Sequence, residues 1–264
     1  MRRVALVTGA SAGIGEAFAR VFASHGFDLV LTARREDRLR ALAEELARQH
    51  GVVAHVYRAD LAEPAAPARL SEHLAAQGIA VDALVNNAGY GVPGSLVSVP
   101  WERHASFLQL MLVGVTELTY RLLPGMVERR WGRIVNVASL AGLVPAPAGH
   151  TLYAATKSYL IKFSEALSCE VGHAGVHVTA VCPGFTFSEF HDVSGTREMM
   201  RRLPSWMWMD AGTVARRGFD AVMEGRPVYV PGRVNGAIAL LARHLPPRLV
   251  YALSRRVARQ YRRV

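Results

Sequence analysis

Tyr153 and Lys157 stand four residues apart in the run LYAATKSYLIKF, Leu152 to Phe163, and a helix there puts both side chains on one face. A phenol with a reference pKa of roughly 10 exchanges protons poorly at neutral pH. A neighbouring ammonium favours the phenolate and lowers that value, so the pair predicts a tyrosine able to exchange a proton near neutrality. The choice of lysine is informative, because Lys157 and Lys162 are the only lysines among 31 basic residues. Lysine carries a compact charge and three donors on a flexible stem, suited to reaching both a phenol and ribose hydroxyls, whereas arginine is a bulkier planar fork. Lys162 has no such role and is expected on plain helix surface.

A second constellation could hold phosphate. TGASAGIG, Thr8 to Gly15, follows a β-branched run and opens a helical one. Gly9, Gly13 and Gly15 allow a tight turn, and with Ser11 and Ile14 the backbone can approach a pyrophosphate at a helix N-terminus. The next strand ends in LTARRED. An NAD site usually carries an acid there for the ribose 2′-hydroxyl; Ala33 removes it, and Arg34 and Arg35 offer guanidinium groups to a 2′-phosphate. NADP(H) is therefore expected in preference to NAD(H).

The elements that must position these groups alternate short β-branched runs with longer amphipathic ones, the pattern of a doubly wound parallel α/β sheet with helices on both faces. Strands are expected at 3–8, 28–33, 52–58, 82–87, 132–139, 176–183 and 227–230. Between them lie runs such as EDRLRALAEELARQH, whose Leu39, Leu42, Ala43 and Leu46 make one apolar face. The 264 residues, 51% hydrophobic, suffice for one such domain over 1–232. No uninterrupted apolar run approaches the ~18 residues of a membrane span. Cys169 and Cys182 are read as two buried thiols rather than a disulfide framework, and a reducing cytoplasm is the default. No group with metal-ligand spacing stands out. The net charge of +10 is concentrated late: after Glu224 there is no acid, and nine arginines follow.

Taken in order, TGASAGIG, NNAG (Asn86 to Gly89), Tyr153-x-x-x-Lys157 and Pro183–Gly184 resemble the short-chain dehydrogenase/reductase family over roughly residues 3 to 190. The resemblance implies a Rossmann sheet of seven parallel strands, hydride transfer with a nicotinamide cofactor, and a homodimer or homotetramer. It further implies that Tyr153 protonates the carbonyl oxygen, that Lys157 holds the nicotinamide ribose and tunes the phenol, and that Ser139, in NVASLAG, hydrogen-bonds the substrate oxygen. By the same resemblance Asp60 contacts adenine, Asn87, Ala88 and Gly89 line the cofactor cleft, and Pro183, Gly184 and Thr186 border the nicotinamide.

Three departures from the family pattern stand out. Where relatives have Asn three residues before a helical glycine, part of a proton relay, this chain has Met111 before Gly114, and a thioether is no donor. Met111 either packs in the core of a working enzyme or marks an impaired, dinucleotide-binding regulatory or scaffold protein. Ser139 and Tyr153 are fourteen residues apart, about one more than expected, with PAPAGH between them and His150 near the rim. After Pro183–Gly184 come Phe187 and Ser188, where a polar or basic residue and Thr are usual.

A substrate lid is expected over about 188–210. Its MMRRLPSWMWM, 199 to 209, holds four methionines and two tryptophans, suited either to covering an apolar substrate or to packing on the body of the fold. The tail, 233–264, reads as two basic amphipathic helices, 235–245 and 248–264, parted by Pro246–Pro247. Leu249, Leu253 and Val257 line the second, which could touch an anionic membrane surface, cap the site or join an oligomer. Nucleic acid is not an expected partner. These features together predict an NADPH-dependent reductase of a hydrophobic ketone or 3-oxoacyl group.

Overall fold

The computed structural model describes residues 2–145, 149, 151–189, 204–246, 248 and 251. Seven parallel strands form one sheet: β1 (Val4–Thr8), β2 (Asp28–Ala33), β3 (Ala54–Arg58), β4 (Ala83–Asn86), β5 (Gly132–Val137), β6 (Val176–Val181) and β9 (Val228–Tyr229), in the order β3-β2-β1-β4-β5-β6-β9. All seven fall inside the runs expected from sequence. A separate two-residue parallel pairing, β7 (Thr186–Phe187) with β8 (Met209–Asp210), carries no such signal.

Side chains alternate across each strand and so feed two cores. Ala5, Val7, Leu29, Leu31, Val85 and Val135 face one side, covered by α1 (Gly13–Ser24), α2 (Glu36–His50) and α7 (Ala211–Met223) through Phe18, Phe22, Leu39, Leu46 and Phe219. Leu6, Val30, Leu84, Ile134 and Val178 face the other. There they meet α3 (Ala66–Ala76), α4 (Trp101–Leu108), α5 (Val115–Glu128) and α6 (Thr151–Val171) through Leu70, Phe107, Leu118 and Leu167. An inner strand buried on both faces is apolar at most positions, which is why these runs are rich in Val, Leu and Ile.

Between α4 and α5 the helix widens into a π segment, Gln109–Gly114. The rod from Trp101 to Glu128 is, among the described residues, the one helix long and apolar enough to cross a membrane, with mean hydropathy 1.2. It turns Phe107, Met111, Leu118 and Met126 into the core instead. Met111 is 1% exposed, and its sulfur lies 2.8 Å from the point a side chain on Gly89 would occupy. It therefore underpins the NNAG loop as a packing residue.

The first piece of the tail forms α8 (Arg233–His244), close to its expected 235–245. Its Asn235 is buried against Gly184, while Leu240 and Leu241 are exposed. Of the second piece, Arg248 and Tyr251 are described; Leu249, Leu253 and Val257 lie outside the described residues, as do His150 and residues 190–203 of the expected lid. Cys182 is buried but Cys169 is exposed, which corrects the expectation of two buried thiols; Cys169 sits on the outward side of α6 near its end.

Candidate active site

The chain order reverses between β1 and β4, and crossovers from these two strands leave in opposite directions. The crevice beyond their carboxyl ends is where a ligand binds in a doubly wound sheet. Here it is a cleft of about 660 Å³. Gly9, Ser11, Ile14, Arg34, Arg35, Asp60, Asn87, Ala88, Gly89, Ser139, Tyr153, Lys157, Pro183, Gly184 and Thr186 all line it. Of the residues expected from sequence, Gly13 and Gly15 do not line the cleft; both shape its floor.

Gly9 and Gly13 have φ of +66° and +62°, conformations that suit glycine. At Gly15 a Cβ would sit 2.3 Å from the Gly9 carbonyl oxygen and 2.4 Å from Asn87 Nδ2. The turn is therefore folded back on itself and on the end of β4. Thr8 fastens the two strands: its hydroxyl accepts from the Asn87 and Ala88 amides at 2.9 and 3.0 Å and donates to the Val85 carbonyl at 3.1 Å. Asn87 Nδ2 in turn donates to the Thr8 carbonyl at 3.0 Å. This leaves a backbone cradle at the start of α1, a fit for a dinucleotide pyrophosphate.

At the β2 end, Arg34 is 3.8 Å from the Asp60 carboxylate and largely exposed. Arg35 donates through Nε and Nη2 to Ser11 Oγ at 3.2 and 3.1 Å, which pins it to the glycine turn. Sequence reasoning missed two further groups here. Arg38 and Glu189 meet at 2.7 Å, and Glu189 also meets Arg35 at 2.7 Å.

At the opposite end Ser139 closes β5 and caps a 3-10 turn, Leu140–Gly142, accepting from the Ala141 amide at 3.1 Å. That turn docks on α6 because Gly142 has no side chain: a Cβ there would lie 2.7 Å from the Lys157 carbonyl carbon. Ser158 Oγ then donates to the Gly142 carbonyl at 2.9 Å. The turn thus brings Ser139 to the helix that carries Tyr153 and Lys157. Lys162, in contrast, is exposed and pairs with Glu165 at 2.6 Å.

A buried polar rod holds these elements in register. Asn86 Nδ2 donates to Asn136 Oδ1 at 2.9 Å and to Thr119 Oγ1 at 3.1 Å; Asn136 Nδ2 donates to Ser164 Oγ at 2.8 Å. It joins β4, β5, α5 and α6, the elements that carry Asn87, Ser139 and Tyr153.

The electrostatics differ from expectation. Lys157 donates to the Val137 carbonyl at 2.7 Å, and its Nζ is 5.6 Å from the centre of the Tyr153 ring. Burial lowers the lysine to about 8. Burial also raises the Tyr153 phenol, with a hydrogen bond from Ser139 acting the other way. Desolvation is the dominant influence on both groups and outweighs the expected lowering of the phenol. Cys182, next to Pro183, is pushed up to about 12 by burial, partly offset by Lys157.

A glycine turn at a sheet switch point, joined to a Ser–Tyr–Lys group in one cleft, defines a dinucleotide-dependent oxidoreductase of the doubly wound type. The family model for short chain dehydrogenase matches residues 3–198, and the chain belongs to that family of NAD(P)-dependent enzymes. Oxidoreductase UcpA of Escherichia coli (strain K12) is 36% identical over 184 residues, 69% of this chain and 69% of its own. Among solved structures, a short-chain dehydrogenase from Sphingobium yanoikuyae in complex with NADPH superposes with a TM-score of 0.81 at 30% identity, covering 92% of this chain and 96% of that one. A bulky-bulky ketone specific alcohol dehydrogenase from Comamonas testosteroni gives 0.76 at 27% identity, covering 98% and 94%.

Proposed function

We propose that this protein is an NADPH-dependent carbonyl reductase, reversible as an alcohol dehydrogenase, acting on a hydrophobic ketone or 3-oxoacyl substrate. The observation that carries it is the convergence of Ser139 from β5 with Tyr153 and Lys157 from α6 on a cleft whose far end holds the glycine turn and Arg34–Arg35. A nicotinamide dinucleotide bound there supplies the hydride. Gly9, Ser11, Gly13, Ile14 and Gly15 hold its pyrophosphate, Arg34 and Arg35 its 2′-phosphate, and Asp60 its adenine end. Asn87, Ala88, Gly89, Pro183, Gly184 and Thr186 wall the cleft around it.

Tyr153 gives its proton to the substrate oxygen, and Ser139 donates a hydrogen bond to the same oxygen as charge develops. Lys157, with a pKa of about 8, stays largely protonated at neutral pH, so it brings positive charge to the tyrosinate that results and donors to the ribose. Met111 packs beneath Gly89 and takes no part in proton transfer.

The substrate class follows from the wall near Ser139. Val92, Pro93, Leu140, Val144 and Phe185 line the cleft together with Ser139 and Tyr153. Trp208 extends it, 5.7 Å from Phe185 and stacked on Phe187 at 4.9 Å. Such a wall favours a bulky apolar carbonyl compound. The NADPH in the Sphingobium structure and the bulky ketones of the Comamonas enzyme support both halves of the proposal. Purified Tyr153→Phe and Ser139→Ala proteins test it. Each is expected to lose about 10²-fold or more in kcat while still binding NADPH; a Tyr153→Phe enzyme within a few-fold of wild type would overturn the assignment.

A further inference from the structure

Glu189 stands two residues after β7, on the loop that leaves Pro183–Gly184, yet its carboxylate reaches the arginines that follow β2. One oxygen accepts from Arg35 Nη1 at 2.7 Å and the other from Arg38 Nη1 at 2.7 Å. Its neighbour Ser188 crosses the glycine turn, with Cβ 2.9 Å from where a side chain on Gly13 would begin. The loop therefore lies over the phosphate cradle, and both Ser188 and Glu189 line the cleft beside Ser11 and Arg35.

A carboxylate shared by two guanidinium groups uses the donors that a phosphate would use. Arg35 spends Nε and Nη2 on Ser11 and has Nη1 left for an anion, which Glu189 takes. Glu189 is ionised throughout the neutral range, because Arg38 and then Arg35 hold its carboxyl below the usual range. The pairs are half exposed, so water screens them and each is weak enough to exchange. A phosphate, with more charge and three acceptor oxygens, outcompetes a single carboxylate at such a site.

We propose that Glu189 is an internal competitor for the 2′-phosphate and that Arg38 joins Arg34 and Arg35 in the site it competes for. The proposal rests on the NADPH assignment above and deepens it. Glu189 lowers affinity for the phosphorylated dinucleotide without touching affinity for the unphosphorylated one, and so sets how strongly the enzyme discriminates between them and how readily it releases NADP(H).

The test is a set of dissociation constants for NADPH, NADH, adenosine 2′,5′-bisphosphate and adenosine 5′-monophosphate, measured by calorimetry on wild type, Glu189→Gln and Glu189→Ala. Both variants are expected to bind NADPH and the bisphosphate about fivefold or more tightly than wild type, as expected for release of two exposed ion pairs. NADH and the monophosphate should move by less than about twofold. Adding Arg38→Ala to Glu189→Gln should abolish most of the gain.

Equal tightening of NADPH and NADH would overturn the proposal in favour of a loop that merely blocks the cleft. No tightening, in a wild type that still prefers NADPH, would overturn it and leave the NADPH assignment standing. A wild type that binds NADPH and NADH equally would overturn the assignment and this proposal together.

Discussion

Lys157 is among the few charged side chains this fold buries, at 6% exposed, and the environment pushes its amine from 10.5 to about 8. Between those values the unfolded chain holds a proton that the folded chain has lost, so stability rises with pH across that window. The full shift corresponds to roughly 3 kcal/mol. Denaturant unfolding of wild type and Lys157→Met from pH 7 to 10.5 should therefore show wild type gaining on the variant by about that amount above pH 8. A constant difference would mean the amine titrates normally. Arg34 and Arg35 carry the second prediction at this scale: replacing both with alanine should weaken NADPH by about tenfold or more and NADH far less, as measured by binding. Equal losses would remove the 2′-phosphate from that end of the cleft. Tyr153, Lys157 and the arginine pair were legible in the sequence because each pairing is local, four residues or fewer apart. Arg38 with Glu189 was not, since the two are 151 residues apart and only the loop after β7 brings them together. The net rise of the phenol was not legible either, because spacing reveals that Lys157 is near but not that burial raises one group and lowers the other.

The elements around the site are joined by groups that do no chemistry themselves. Asn136 links Asn86 on β4 to Ser164 on α6, all within the core. Asn136→Ala removes one bond from the Asn86 amide, which keeps Thr119, and one from the Ser164 hydroxyl, which keeps the Leu160 carbonyl, and each lost bond costs about 1 kcal/mol before the cavity is counted. Urea unfolding should show a loss of about 2 kcal/mol or more, with the melting transition still cooperative; a change below about 0.5 kcal/mol would mean the rod is not under strict demand. The five inner strands were visible because burial on both faces makes most of their positions apolar. The β7–β8 pairing was not, because two-residue strands have no period and this one is held by Phe185, whose carbonyl accepts from the Met209 amide at 2.9 Å. The same limit applies to Ser139. A sequence shows a serine after a strand, but only the close approach of Gly142 to α6 explains how it reaches Tyr153 across a connection of unusual length.

For the molecule as a whole, the sheet order places a phosphate cradle and a proton-transfer group in one cleft, and the family match extends that description over residues 3–198. The helices on its outer surface leave Val113, Tyr120 and Tyr159 exposed on the π segment, α5 and α6. Sedimentation equilibrium is expected to give a dimer or tetramer; a monomer at micromolar concentration would contradict the assembly implied by the family resemblance. The central claim is more specific, that this cleft reduces bulky apolar carbonyl compounds with NADPH although Met111 replaces a polar relay residue. Its most direct test is NADPH consumption by the purified wild-type protein against a graded panel of ketones and 3-oxoacyl esters. Turnover that rises with apolar bulk and falls by at least about 10²-fold in the Tyr153→Phe control is the predicted result. Tight NADPH binding with no turnover on any member of the panel would contradict it.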